Sequence, residues 1–235
     1  MSFQVKKDGK QTSRLNSQIE PTQPPKRGLK TWFPELSDDT HSKLEIYQEE
    51  LLKFNKAINL ISVSTESRVE AVHFADSILA AKLIFPVLVP QKEIYDFGSG
   101  NGFPGLVMSA MFPQFKFILV ERDGRKAEFL KHAASKMKLT NVQTIIKTVE
   151  DLPDNSCHNV VTRGFASLHK SMLMSRRPMA KDGKLFHLKG DSFTSELVAV
   201  PSQLFSHWNA SLLGNYTLPE TNSVETVVLT EKLTD

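Results

Sequence analysis

The sequence predicts a doubly wound, mostly parallel α/β sheet preceded by a helical extension. Three observations carry this: apolar residues recur every three or four positions between residues 40 and 83, strand-like and helix-like stretches alternate from Lys92 onward, and four glycines crowd the first strand-to-helix turn.

Leu44, Tyr47, Leu51, Phe54 and Ile58 mark one face of a first helix, with Ser42, Lys43, Glu49, Glu50 and Lys53 on its wet side. After the turn-like INLISVST, Val69, Val72, His73, Ala75, Asp76, Leu79, Ala80 and Leu83 predict a second helix, which stops before Pro86. Strands follow near 93–97, 116–121, 142–146, 158–163 and 184–189, separated by helices near 103–112, 124–138 and 167–180. The β-branched VETVVLT at 224–230 suits one more strand near an edge.

The 235 residues are 40% hydrophobic, enough for one substantial core. No apolar stretch reaches the roughly 18 residues of a membrane span, and MSFQVKKDGKQTSR lacks the apolar centre of a secretory signal, so a cytoplasmic protein is expected. The one cysteine, Cys157, excludes an internal disulfide framework and reads as a packed side chain. Neither HxxxH nor Cys/His spacing suggests a metal site, and no G-x-S-x-G suggests a serine hydrolase.

The net charge of +3 is uneven: residues 1–30 hold seven basic and two acidic side chains, which leaves the remaining 205 residues near −2. That segment is rich in Gln, Ser, Thr and Pro, so residues 1–34 are expected to be a basic, disordered tail, with 35–90 as N-terminal helices and 91–235 as the α/β core. The tail could act as an arm for a polyanion such as RNA.

The glycine segment is KEIYDFGSGNGFPG, in which Gly98, Gly100 and Gly102 form the turn and a helix is expected to begin near Phe103 with Pro104 in its first turn. Bare backbone at the carboxyl end of the sheet is read as a ligand site. The absence of a following G-K-[ST] disfavours a phosphate loop, leaving dinucleotides and S-adenosylmethionine. Glu121, about twenty residues on, can accept hydrogen bonds from ribose hydroxyls; its neighbour Arg122 keeps a ribose phosphate open. Asp96 favours the second ligand, because a carboxylate would repel a pyrophosphate but suit a cationic amino and sulfonium group.

YDFGSGNGFPG, VERDGRKAEFL, VVTRGFASL and HLKG, with YQEELLKFNKAINLISV and VHFADSI upstream, resemble in order and spacing the RsmG (GidB) family. The likeness runs from about Leu44 to Gly190, with Gly164 and Asn101 as departures. The resemblance implies a class I methyltransferase fold and transfer of a methyl group from S-adenosylmethionine to N7 of one guanosine in the 530 loop of bacterial 16S rRNA. It implies that Gly98 and Phe103 belong to the cofactor turn, Glu121 takes the ribose, Val149 and Glu150 flank the adenine, and Arg163 sits by the methyl-transfer site. With it, His73 and Asp76, three apart on the second helix, become candidates for shaping the pocket together with Asn59; Lys189, ending KLFHLKG at the same sheet edge as Arg163, is by its position a candidate for the pocket or an RNA contact, and Arg125 and Lys126, opening a helix beside the cofactor, for RNA phosphates. The expected partner is 16S rRNA in the small subunit or its precursor, met by a monomer. A nicotinamide oxidoreductase, a methyltransferase for another RNA, and an RNA-binding assembly factor with a vestigial cofactor site are the competing readings.

Overall fold

A computed structural model describes residues 28–190 and 193–234. The elements in chain order are α1 (Leu29–Trp32), α2 (Asp38–Ile58), α3 (Val63–Glu66), a π-helical turn (Glu70–Phe74), α4 (Ala75–Ile84), β1 (Ile94–Phe97), α5 (Gly105–Met111), β2 (Phe117–Glu121), α6 (Gly124–Lys136), β3 (Val142–Ile146), β4 (Cys157–Arg163), α7 (Leu168–Met174), β5 (Met179–Lys189), α8 (Phe193–Val198), β6 (Trp208–Thr217) and β7 (Val224–Lys232). The strands form one sheet in the order β3-β2-β1-β4-β5-β7-β6. The first five are parallel; β7 runs antiparallel between β5 and β6.

Side chains alternate across this sheet as the pleat requires. Ile94, Phe117, Phe186 and Val227 meet α4 and α5 on one face, while Phe97, Val120, Leu185 and Val228 join Leu168, Met172 and Trp208 on the other. The predicted face of α2 is inside, with Leu44, Tyr47 and Leu51 fully buried against α4, α5 and α6. Ser37 caps α2 by accepting from the Thr40 amide at 3.1 Å, and Asp123 caps α6 through the Arg125 and Lys126 amides.

Several boundaries differ from the sequence reading. The expected disordered tail lies largely outside the described residues, but its last part is ordered. Leu29 and Phe33 enter the core, and Glu70 accepts hydrogen bonds from the Gly28 and Leu29 amides. The helix expected over 167–180 ends at Met174, since Pro178 disfavours helical geometry at the residue before it and β5 begins at Met179. Strand β6 had no counterpart in the reading, because WNASLLGNYT is a polar edge strand with only Trp208 buried and an irregularity between Leu212 and Gly214. The second helix is not uniform either: Glu70–Phe74 forms a π turn before α4.

Candidate functional site

The strand order reverses at β1, whose neighbours β2 and β4 both point their carboxyl ends the same way, and ligands of open α/β sheets bind in the crevice so formed. A cavity of about 1010 Å³ opens there, walled by the glycine turn, the end of β2, residues 147–150 and the end of β4.

The four glycines do different work. A Cβ on Gly98 would lie 2.5 Å from Phe165, one on Gly102 would lie 2.6 Å from Tyr47 and Leu106, and one on Gly105 would lie 2.5 Å from Asp96 and Leu119. Only at Gly100 is the space open, with Gly98 O the nearest atom at 3.6 Å. The expectation that a ligand explains the whole run is therefore corrected: three glycines admit protein side chains, and Gly100 alone presents unobstructed backbone. The helix also begins two residues later than expected, at Gly105, after Pro104.

Glu121 is buried at the end of β2 and holds the turn in place, Oε2 accepting from the Gly100 amide and Oε1 from the Asp123 amide, each at 2.8 Å. Each oxygen keeps a lone pair for a ligand. Asp96 differs from its sequence reading. It is fully buried behind the turn rather than in the cavity wall, where Oδ2 accepts from the Gly105 amide at 3.1 Å and Oδ1 has no hydrogen-bond partner among the described residues. Burial pushes its carboxyl up to about 7, despite the Gly105 amide. Asn101, the departure in the turn, anchors the loop to the helical extension through Leu60 O at 3.1 Å, and the Tyr47 hydroxyl donates to Asn101 O.

At the opposite wall Arg163 ends β4. Its Nε donates to Asp76 Oδ2 at 2.6 Å, while Nη2 donates to Val72 O at 3.1 Å and to His73 Nδ1 at 2.7 Å. His73 Nδ1 is thus an acceptor and the ring is neutral; burial, reinforced by the Arg163 charge, lowers its pKa to about 3. Asp76 is 5% exposed at its side chain, and its Oδ1 accepts from the Tyr216 hydroxyl at 2.6 Å. Burial raises the Asp76 pKa, and Arg163 and Tyr216 oppose that. His73, Asp76 and Arg163 are accordingly brought together as the sequence suggested, but the forked edge of Arg163 is turned to protein partners, and Nη1 is left without one among the described residues.

Other candidates separate. Val149, Glu150, Lys126, Phe103 and Gly98 line the cavity, whereas Gly102 and Arg125 do not. Arg125 is exposed and lies 3.8 Å from Asp123. Lys189 reaches the cavity, but its ammonium is engaged by Ala166 O at 2.8 Å and Glu196 at 2.7 Å, so it braces the loop after β4. Asn59 is the left-handed C-cap of α2 and lies outside the cavity wall. The sequence reading missed Tyr216, Glu196, Phe165 and Lys147; Tyr216 and Glu196 lie beyond every recognised motif, and no spacing singles them out.

Residues 40–214 match the sequence profile of the family described as rRNA small subunit methyltransferase G (GidB). This chain belongs to that family. Ribosomal RNA small subunit methyltransferase G 3 of Bdellovibrio bacteriovorus is 44% identical over 202 residues, 86% of this chain and 91% of that protein. The Paracoccus denitrificans member is 34% identical over 170 residues, covering 72% of this chain and 84% of its own length. Among solved structures, YcgJ from Bacillus subtilis aligns with a TM-score of 0.52 at 14% identity over 69% of this chain and 100% of its own. TYW2 from P. horikoshii aligns at 0.51 and 12% identity over 69% of this chain and 63% of its own; both likenesses concern the fold.

The rRNA small subunit methyltransferase G family places this chain among S-adenosylmethionine-dependent enzymes that methylate small-subunit ribosomal RNA. The site fits that cofactor: Gly100 offers bare backbone, Glu121 offers carboxylate lone pairs beside it, and Val149 offers an apolar wall. Among the described residues no helix is long and apolar enough to cross a membrane, and no group of three His, Cys, Asp or Glu side chains is arranged to hold a metal ion.

Proposed function

We propose that the chain methylates N7 of a single guanosine in the 530 loop of 16S rRNA, within the small subunit or its precursor, as a cytoplasmic monomer. The observation that carries this reading is the fixed Arg163 facing the open Gly100 backbone across one cavity.

S-adenosylmethionine supplies an electrophilic methyl group when bound. Glu121 would accept hydrogen bonds from its ribose hydroxyls and Val149 and Glu150 would flank its adenine, while Asp96 supports the turn from behind through Gly105. Guanine N7 carries an in-plane lone pair and needs no deprotonation, so placement is the main catalytic demand. The nearby titratable groups agree: the His73 lone pair and the Asp76 carboxylate are both committed to Arg163, and neither is poised as a general base. Asp76 also balances the Arg163 charge, so the positive charge that develops on the guanine meets a nearly neutral wall. Nη1 of Arg163 remains to donate to the base or its phosphate. Lys126 lines the rim as a phosphate contact, and the exposed Arg125 lies next to it in α6. The residue ranges 35–90 and 91–235 act as one catalytic unit, since α2 pins the glycine turn through Tyr47.

The test is incubation of small subunits from cells lacking this modification with methyl-labelled S-adenosylmethionine, followed by cleavage mapping of N7-methylguanosine. Label at one guanosine of the 530 loop is expected. Label elsewhere would discard the site, and binding to RNA without transfer would favour an assembly factor.

A further inference from the structure

We propose that Tyr216 is a positioning residue for methyl transfer: its hydroxyl holds Asp76, and Asp76 in turn fixes the Arg163 guanidinium at the cavity wall. The proposal rests on the methyl-transfer reading above. Tyr216 stands on the edge strand β6, two residues past the segment that matches the family profile.

The geometry is a relay of two contacts. Tyr216 Oη donates to Asp76 Oδ1 at 2.6 Å, and Arg163 Nε donates to Asp76 Oδ2 at 2.6 Å. One donor on each oxygen fixes the rotation of the carboxylate, so the direction in which Oδ2 pulls Arg163 is set from β6. The Asp76 side chain is almost out of reach of water, and loss of the phenol would leave Oδ1 a buried acceptor without a donor. Backbone shape makes the reach possible. Strand β6 is irregular between Leu212 and Gly214, and a Cβ at Gly214 would already be 3.1 Å from Leu83, so the bare glycine brings β6 close to α4 and lets the Tyr216 ring pack beside it.

The ionisable groups around Asp76 are Arg163 from β4, neutral His73 from the π turn and Tyr216 from β6, with Glu225 of β7 near Tyr216 and Lys189 of β5 on the same cavity wall. Burial and the neighbouring Asp76 and Glu225 push the phenol pKa far up, which keeps it a donor throughout the working range. Asp76 must be ionised to hold Arg163. Burial favours its protonated form, so removing the phenol moves its titration to higher pH.

The experiment compares the full chain with Tyr216→Phe, using Asn215→Ala on the exposed part of the same strand as a control. Methyl transfer to small subunits lacking the modification is followed from pH 6 to 9. For Tyr216→Phe, kcat is expected to fall about tenfold, the loss of one hydrogen bond to a charged group, while the Kd for S-adenosylmethionine stays within about twofold. The acid limb of the kcat profile is expected to move to higher pH, because the phenol no longer favours the ionised Asp76, and a merely structural role would not produce that. In an Asp76→Asn background the same substitution is expected to change kcat by less than about twofold, because the relay is already cut. Two readouts stand apart from activity: slow exchange of the Tyr216 hydroxyl proton in the wild type, and faster exchange of the Arg163 Nε–H in Tyr216→Phe, both by NMR. If the wild type transfers no methyl group, the functional reading fails and these two still decide the relay. Rapid exchange of the hydroxyl proton in the folded wild type overturns the proposal, as does an unmoved acid limb or an equal loss of kcat in both backgrounds.

Discussion

Replacing Asp96 by asparagine tests the account of the glycine turn. Asp96 is fully buried, Oδ1 has no hydrogen-bond partner among the described residues, and burial raises its pKa from 3.8 to about 7. A carboxyl raised in the folded state keeps a proton that the unfolded chain releases, so its stabilising contribution is present below about pH 4 and is lost as pH rises toward 7. Between pH 5 and pH 8 this single group is worth about 3 kcal/mol. The side-chain amide of Asp96→Asn would mimic the protonated state at every pH, accepting from the Gly105 amide while removing the titration. Any fixed cost of that substitution cancels when the two pH values are compared. His73 and His187, both lowered to about 3 by burial, destabilise the fold as pH falls below about 6.5, but they do so in both proteins. Urea unfolding without cofactor, read by circular dichroism, is the assay. The stability difference between Asp96→Asn and wild type is expected to shift by about 3 kcal/mol toward the variant from pH 5 to pH 8, about 1 M in urea midpoint. A difference that stays constant within about 1 kcal/mol over that range would refute a neutral, buried Asp96.

Gly100→Ala is expected to cost about 1 kcal/mol of stability through its positive φ of 53° and to weaken S-adenosylmethionine binding at least about tenfold. Gly105→Ala should instead lose about 1–3 kcal/mol from crowding Asp96 and Leu119, with a smaller change in affinity; calorimetry and thermal melts showing the reverse pattern would sink the division of labour among the glycines. Arg163→Ala is expected to lower kcat at least about a hundredfold and to cost about 3 kcal/mol by stranding buried Asp76, and a second change, Asp76→Asn, should recover the stability without the activity. Removing residues 1–27, which spares the Gly28 and Leu29 anchor on Glu70, should weaken RNA binding mainly at low salt; an unchanged slope of log affinity against log salt would leave the basic segment without a role.

The parallel half of the sheet was legible because β1, β2 and β4 are short apolar runs separated by helix-like stretches, each ending in Asp96, Glu121 or Arg163 or beside it. The antiparallel edge was half visible. VETVVLT supplies the adjacent buried apolar side chains Val227, Val228 and Leu229 of β7, whereas β6 buries one tryptophan and carries no alternation. Glycine spacing located the site but could not say what excludes each side chain, since Phe165, Tyr47 and Leu119 come from elsewhere in the chain. The His73, Asp76 and Arg163 cluster was reached through family resemblance. Its link to Tyr216 spans 140 residues and leaves no trace in local pattern.

Placement of β7 between β5 and β6 sets an order of events during synthesis. Strand β6 leaves the ribosome first, yet its backbone has nothing to pair with until Val224–Lys232 follows and docks on β5. A nascent chain that ends before residue 224 can hold the glycine turn and Arg163 but has no sheet edge on which to seat Tyr216. Loss of β7 by early termination or proteolysis therefore reaches the catalytic cleft, although it falls well outside every motif by which the cleft was found.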